Sequence, residues 1–213
     1  MEKKLDLEFV TSAALYEQCL DHQKKEIAFV GASNAGKSSA INALSNNKKL
    51  AKISKTPGKT KLFNFFKCNQ GYIVDFPGYG FSKVSKQQKK EWSQEIPKYF
   101  QYRNNLIGVL IFTDIRHPMK ESDVDMISML INFRLPFKIV LTKSDKVSRA
   151  EKTEAEQRNI KTLRLLSLEK LFHDENISSY EEREIFADVM SFSIKDQESV
   201  NNLRKEISAL LSN

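Results

Sequence analysis

The chain is poor in the residues that build metal centres and disulfide scaffolds. Its 213 residues include two cysteines, Cys19 and Cys68, and three histidines, His22, His117 and His173. Neither cysteine has a partner at metal-ligand spacing, and the histidines form no ligand cluster in sequence. A zinc site and a disulfide framework are therefore not expected, and two free thiols suit a reducing compartment. No apolar run approaches the length of a membrane span, and the N-terminus MEKKLDLEFV lacks an apolar core of signal-peptide length. Internal repeats and low-complexity tracts are absent. These absences predict a soluble, cytoplasmic chain with no membrane partner.

What the chain does have is an excess of positive charge. There are 34 Lys and Arg against 27 Asp and Glu, a formal net charge of +7. The excess favours a polyanionic partner, such as RNA or a nucleotide, although a basic solvated surface would give the same number.

One stretch carries a sharper signal. Gly31, Ala32, Ser33, Asn34, Ala35, Gly36, Lys37 and Ser38 read GASNAGKS, which fits the phosphate-binding loop G-x-x-x-x-G-K-S/T. The apolar run 27–30 before it reads as a buried strand, and 39–44 after it carries apolar residues at helical spacing. Strand, loop and helix form the context that a phosphate loop requires. Gly31 and Gly36 permit the backbone to wrap phosphate oxygens with N–H groups. The helix beginning near Lys37 turns its positive end towards them. Lys37 is expected to reach the β- and γ-phosphates, and the Ser38 hydroxyl to ligate Mg²⁺.

The remaining pattern alternates strands and helices. Residues 46–61 read as a basic loop punctuated by Pro57 and Gly58. Residues 62–66 and 72–74 read as a hairpin turning at 69–71. Residues 86–103 read as a helix that Pro97 kinks or splits. Strands are expected at 106–113, 137–141 and 188–193, and helices at 122–133, within 148–172 and at 200–211. Residues 174–184 read as a polar connection. The pattern predicts an α/β domain with a mainly parallel six-stranded sheet, one antiparallel strand, and ligands at the carboxyl ends of its strands. Residues 26–213 are expected to form this single domain. Residues 1–25 read as an appendage packed on it, with a short extended segment around Leu5, Leu7 and Phe9 and a helix over 13–20 capped by Ser12.

Two further elements follow predicted strands. Asp75, Phe76, Pro77 and Gly78 fit D-x-x-G. There Asp75 would hold Mg²⁺ through water, and the Gly78 N–H would meet the γ-phosphate. Thr142, Lys143, Ser144 and Asp145 fit N/T-K-x-D. A carboxylate accepts two hydrogen bonds from the N1–H and N2–H₂ of guanine, which adenine lacks, while Lys143 lays its stem over the base. Thr56 or Thr60, in the loop between, would close over Mg²⁺; residue chemistry does not choose between them.

GASNAGKSS, TPGKTK, DFPGYG, DIRH and TKSD, in this order, resemble the EngB (YihA/YsxC) family of bacterial GTP-binding proteins, over roughly residues 8–146. The resemblance implies a Ras-like GTPase domain with GTP or GDP as ligand and Mg²⁺ as cofactor. It further implies a role in assembly of the large ribosomal subunit and a link to septation. It assigns the second Mg²⁺ ligand to Thr60, with Gly58, Lys59, Lys61 and Leu62 around the nucleotide, and the base-reading pair to Thr142 and Asp145. The last family element falls on Ser191, Phe192 and Ser193, where Phe192 stands in place of a serine and the backbone is expected near guanine O6. The charged segment 146–188 is longer than the family leads one to expect.

Catalysis is expected to be slow. The position after D-x-x-G is Tyr79, which has no carboxamide to orient a water. Asn34 occupies the place where related GTPases hold K⁺, so Lys37, Thr60 and a K⁺ ion at Asn34 are the expected transition-state supports. Lysines 48, 49, 52, 55, 59, 61, 83, 86, 89 and 90 flank both phosphate-sensing loops and are expected to meet ribosomal RNA. Asp114, Arg116 and His117 read as structural, and Trp92 as core. A monomer is expected. A P-loop kinase or ATPase, and an RNA-binding factor with a largely structural nucleotide site, are the competing readings.

Overall fold

The computed structural model describes residues 5–51, 62–79, 86–172 and 187–212, with residues 86–93, 167–172 and 187 described through their backbone alone. Lys52, Lys55, Thr56, Gly58, Lys59, Thr60, Lys61 and Lys83 lie outside the described residues, as does the connection 174–184.

The centre of the molecule is β2 (Glu26–Gly31), whose six residues are all buried. A strand buried on both faces needs a near-continuous apolar run, and Ile27 to Val30 supplies it. Parallel neighbours flank it. β4 (Tyr72–Asp75) pairs on one side, with Phe29 opposite Asp75. β5 (Leu106–Asp114) pairs on the other, with Gly31 opposite Phe112. Beyond β5 lie β6 (Phe137–Thr142) and β7 (Ala187–Ser191), both parallel. β3 (Phe63–Lys67) returns antiparallel to β4 through the expected hairpin.

The sheet has seven strands in the order β1-β3-β4-β2-β5-β6-β7, one more than the six expected. The addition is β1 (Glu8–Ala13), which lies antiparallel on β3 as an edge strand. It takes in Ser12, whose hydroxyl donates to Asn64 Oδ1 at 2.7 Å instead of capping a helix. Of the helix expected over 13–20, a single 3-10 turn at Tyr16–Gln18 remains. Pairing with β3 satisfies the backbone of Glu8–Ala13, and beyond it Tyr16 packs edge-on against Tyr99. β3 alone runs against the other six strands.

Helices cover both faces. α2 (Lys86–Tyr102), α3 (Glu121–Asn132) and α4 (Arg149–Phe172) pack on one face, around Tyr99, Phe100, Ile127, Leu130 and Leu163. α1 (Lys37–Ser45) and α5 (Gln197–Ser212) pack on the other, around Ile41, Leu44, Leu203 and Ile207. α2 runs without interruption through Pro97, so the proline does not divide it. The helix after β2 and the helix after β4 lie on opposite faces. A crevice therefore opens at the carboxyl end of β2, the usual ligand position in such sheets.

A buried charge network fixes the opposite end of β2. Glu26 is fully buried and accepts from Tyr99 Oη at 2.7 Å, Arg103 Nη2 at 2.6 Å and Arg103 Nε at 3.0 Å. His22 Nε2 lies 2.8 Å from the same carboxylate, and Arg103 also donates to the Leu20 carbonyl. One carboxylate thus joins β2, the end of α2 and the N-terminal segment. Removing its charge leaves Arg103 without its counter-ion, a change that costs about 3–5 kcal/mol in buried pairs. Glu26→Gln should lower the unfolding free energy measured by urea titration by that margin; an unchanged free energy would show that the network contributes little.

Candidate functional site

The loop between β2 and α1 is built as a cradle. Gly36 stands at the head of α1 with φ 105°, a left-handed conformation that favours glycine, and a Cβ there would lie 3.3 Å from Thr142 Cγ2. Asn34 is also left-handed, with φ 61°, and is exposed. The loop thus turns into the N-terminus of α1, whose first-turn N–H groups suit an anion, while the Ala35 N–H closes the turn on the Ala32 carbonyl at 3.1 Å. Lys37 reaches back across it and donates to the Gly31 carbonyl at 3.1 Å. Its ammonium is buried, and burial pulls its pKa below the usual lysine range, with the Asp75 charge opposing that shift.

Asp75 ends β4 beside this ammonium. It is 3% exposed, and its Oδ1 atom has no hydrogen-bond partner among the described residues. Burial raises its pKa to about 6, against the pull of Lys37. A buried carboxylate oxygen without a donor is costly, and a hydrated cation would relieve that cost. Together with the half-buried hydroxyl-bearing Ser38 in the first turn of α1, the oxygen donor set suits Mg²⁺. Phe76, next in the chain, is fully buried among Phe63, Tyr99 and Phe100, so it anchors the element and presents no side chain to a ligand. Of the segment around Thr60, Leu62 alone is described, half-buried just before β3.

The end of β6 is tied to the phosphate loop. The Thr142 hydroxyl is buried and within donor range of two carbonyls, Ala35 at 2.7 Å and Thr113 at 3.0 Å. Its single proton therefore serves the loop or the Thr113 carbonyl. Lys143 takes a left-handed backbone with φ 60° and donates to the Asn34 carbonyl at 3.0 Å and to Asp114 Oδ2 at 2.9 Å. Asp114 is also clasped by Arg116, at 2.9 Å from Nε and 2.6 Å from Nη2, and the two cations hold its carboxyl well below the usual range, Arg116 foremost. Within the D-x-R-H element Asp114 is thus tied to Arg116, and it steadies the lysine of T-K-S-D.

Asp145 stands at the mouth of the site in a short 3-10 turn beginning at Ser144. Ser193 Oγ donates to its Oδ1 at 2.8 Å and Lys195 Nζ lies 3.1 Å from Oδ2. The Ser193 bond and then Lys195 keep this partly exposed carboxyl ionised below its usual range. Lone pairs remain on both oxygens for a pair of donors in one plane. Of the final element, Ser193 alone sends its side chain here. Phe192 is buried in the α1–α5 core, while its carbonyl accepts from the Ser144 N–H at 3.2 Å. Ser191 Oγ is buried without a partner among the described residues. The departure at Phe192 therefore serves packing.

The sequence brought Lys37, Ser38, Asp75, Lys143, Asp145 and Ser193 to this site. It gave no sign of the bonds from Thr142 to Ala35 and from Lys143 to Asp114, which join residues far apart in the chain. Thr142→Val keeps the shape and removes the hydroxyl, leaving the Ala35 carbonyl without its donor. Labelled-GDP titration should then give an affinity about ten-fold weaker, the effect of one lost hydrogen bond on a phosphate-binding loop; an unchanged affinity would contradict that role.

Residues 26–143 match the family described as "50S ribosome-binding GTPase". The chain is 46% identical to a "Probable GTP-binding protein EngB" of Coxiella burnetii over 154 residues, covering 71% of this chain and 75% of that one. It is 49% identical to the protein of the same name in Vibrio vulnificus over 148 residues, 68% of each. Among solved structures, a probable GTP-binding protein engB superposes with a TM-score of 0.59 at 20% identity, covering 88% of this chain and 98% of that one. A bacterial selenocysteine-specific elongation factor EF-Sec gives a TM-score of 0.58 at 18% identity, covering 90% of this chain and 29% of that one. At those identities the superpositions speak for the Ras-like fold alone. The family match and the curated relatives go further: the chain belongs to the EngB family of GTP-binding proteins and is a GTPase.

Proposed function

We propose that this GTPase is a nucleotide-dependent switch acting on the large ribosomal subunit during its assembly, and through that role in cell division. What supports the reading is a buried Lys37 folded back on Gly31 and an Asp145 carboxylate steadied by Ser193, inside a chain that matches the 50S ribosome-binding GTPases. In this reading residues 26–213 form one nucleotide-binding domain with 1–25 packed on it, and the protein works as a monomer in the cytoplasm. No helix among the described residues is long and apolar enough to cross a membrane.

Gly31 to Ser38 bind the α- and β-phosphates through backbone N–H groups, and Lys37 exchanges its bond to the Gly31 carbonyl for phosphate oxygens. Ser38, Asp75 and Thr60 hold Mg²⁺, Asp75 through water; the ion neutralises charge on the phosphates. Asp75 to Gly78 and Gly58 to Leu62 respond to the third phosphate. Lys143 covers the base, Asp145 accepts from its N1–H and N2–H₂, and Ser193 keeps that carboxylate in position. Hydrolysis is slow because Tyr79 has no group to orient a water, and K⁺ at Asn34 supplies the missing positive charge. Turnover in KCl should exceed turnover in NaCl; equal rates would remove the K⁺ part of the proposal.

Lysines around the two phosphate-sensing loops supply the contact with ribosomal RNA. The test is co-sedimentation of the full chain with purified large subunits in a GTP analogue, in GDP and without nucleotide. Binding should be strongest with the analogue, fall as salt is raised, and drop when Lys86 and Lys89 are both changed to Glu. Equal binding in all three nucleotide conditions would favour an assembly factor whose nucleotide site is structural.

A further inference from the structure

The second phosphate-sensing element is held by a residue outside every nucleotide motif. Tyr79, directly after Gly78, donates its hydroxyl to Asp123 Oδ1 at 2.9 Å, across 44 positions of sequence. Asp123 lies in the first turn of α3 and is 1% exposed. Its Oδ2 accepts from Thr113 Oγ1 at 2.9 Å and from the Lys120 N–H at 3.3 Å. An acid that only capped α3 would need the Lys120 bond and could stay in water. This one is buried and spends its other oxygen on the loop after β4. Burial and the adjacent carboxylate keep the Tyr79 phenol protonated to well above pH 10, so it remains a donor.

The backbone of Tyr79 lies on the phosphate loop. Its carbonyl accepts from the Ser33 N–H at 3.2 Å, and Tyr79 forms a parallel bridge with Ala32. Gly78 sits so close that a Cβ there would stand 3.2 Å from the Ser33 nitrogen. A loop amide that would otherwise be available to an anion is thus taken by a protein carbonyl, whose oxygen carries partial negative charge. From Asp123 the contacts continue through Thr113, whose carbonyl faces the Thr142 hydroxyl that also serves Ala35.

We propose that Asp123 is a positioning residue that sets the preference between diphosphate and triphosphate: by holding Tyr79 it keeps a carbonyl oxygen on Ser33 and disfavours the ligand with the third phosphate. The inference rests on reading Gly31 to Ser38 as the phosphate loop. A diphosphate fills the cradle at the head of α1 and ends short of the Gly78–Tyr79 segment. A triphosphate extends towards that segment, meets the carbonyl there, and displaces it from Ser33. The cost of that displacement includes whatever the Tyr79–Asp123 bond contributes, so it weighs on one nucleotide and not on the other.

The test measures dissociation constants of labelled GDP and of a non-hydrolysable GTP analogue, with Mg²⁺, for wild type, Tyr79→Phe, Asp123→Asn and the double variant. Wild type should prefer GDP. Tyr79→Phe, which keeps the ring in its place, should narrow that preference about ten-fold by tightening the analogue, with GDP within about two-fold of wild type. Asp123→Asn should move the ratio the same way, and the double variant should add little, because both changes open one latch. If Asp123→Asn does not fold, Thr113→Val removes the other donor and takes its place. A ratio unchanged in Tyr79→Phe, or both affinities weakening together with the melting temperature, would overturn the proposal. Failure of wild type to bind either nucleotide would overturn the phosphate-loop reading, and the latch with it.

Discussion

A lysine ammonium and an aspartate carboxylate are buried side by side at the carboxyl end of the central strands, and neither is fully partnered. Lys37 has one carbonyl, and Asp75 leaves an oxygen without a donor among the described residues. Burying two charges with so few bonds costs several kcal/mol per ion unless something completes them. The fold maintains that arrangement because the buried strands β2 and β4 pair side by side: β4 ends in Asp75, and β2 ends in Gly31, whose carbonyl holds Lys37 from the head of α1. In the proposed reading a polyphosphate and its divalent cation would supply what each charge lacks: anionic oxygens for the lysine, a hydrated metal for the aspartate.

Around this pair, short hydrogen bonds turn separate motifs into one unit. Thr142 serves the phosphate loop from the end of β6, and Lys143 bridges the same loop to Asp114. Asp123 joins the loop after β4 to Thr113 on β5. In the proposed switch, a change at the base, at the phosphates or at Tyr79 would act on shared backbone and so couple nucleotide identity to the surface presented by the loops.

Much of this was legible in the sequence because nucleotide recognition uses backbone N–H groups and a few side chains at fixed spacing. GASNAGKS, DFPG and TKSD each follow an apolar strand, so their order made the central parallel strands legible, and with them the end of the sheet where the three motifs meet. The seventh strand was not legible: Glu8 to Ala13 carries three half-buried or buried positions and three exposed ones, and only pairing with β3 makes it a strand. Ser12 read as a helix cap because its partner Asn64 is distant in sequence. The bonds of Thr142 were not legible for the same reason, since its acceptors Ala35 and Thr113 are set by the fold. Phe192 looked like a departure from a polar motif. It is a core residue, and the neighbouring Ser193 does the polar work. Asp123 fell inside an amphipathic helix pattern and gave no signal of its own.

The central claim is that a carboxylate on a guanine base gives this GTPase its specificity. Competition of labelled GDP by GTP, ATP and XTP, on wild type and on Asp145→Asn, tests it most directly. Asparagine replaces an acceptor with an amide that can also donate, so it suits the carbonyl of xanthine better than the amine of guanine. The account predicts that guanine nucleotides alone compete for wild type and that the variant shifts towards XTP. Equal competition by ATP, or an unchanged preference in Asp145→Asn, would contradict it.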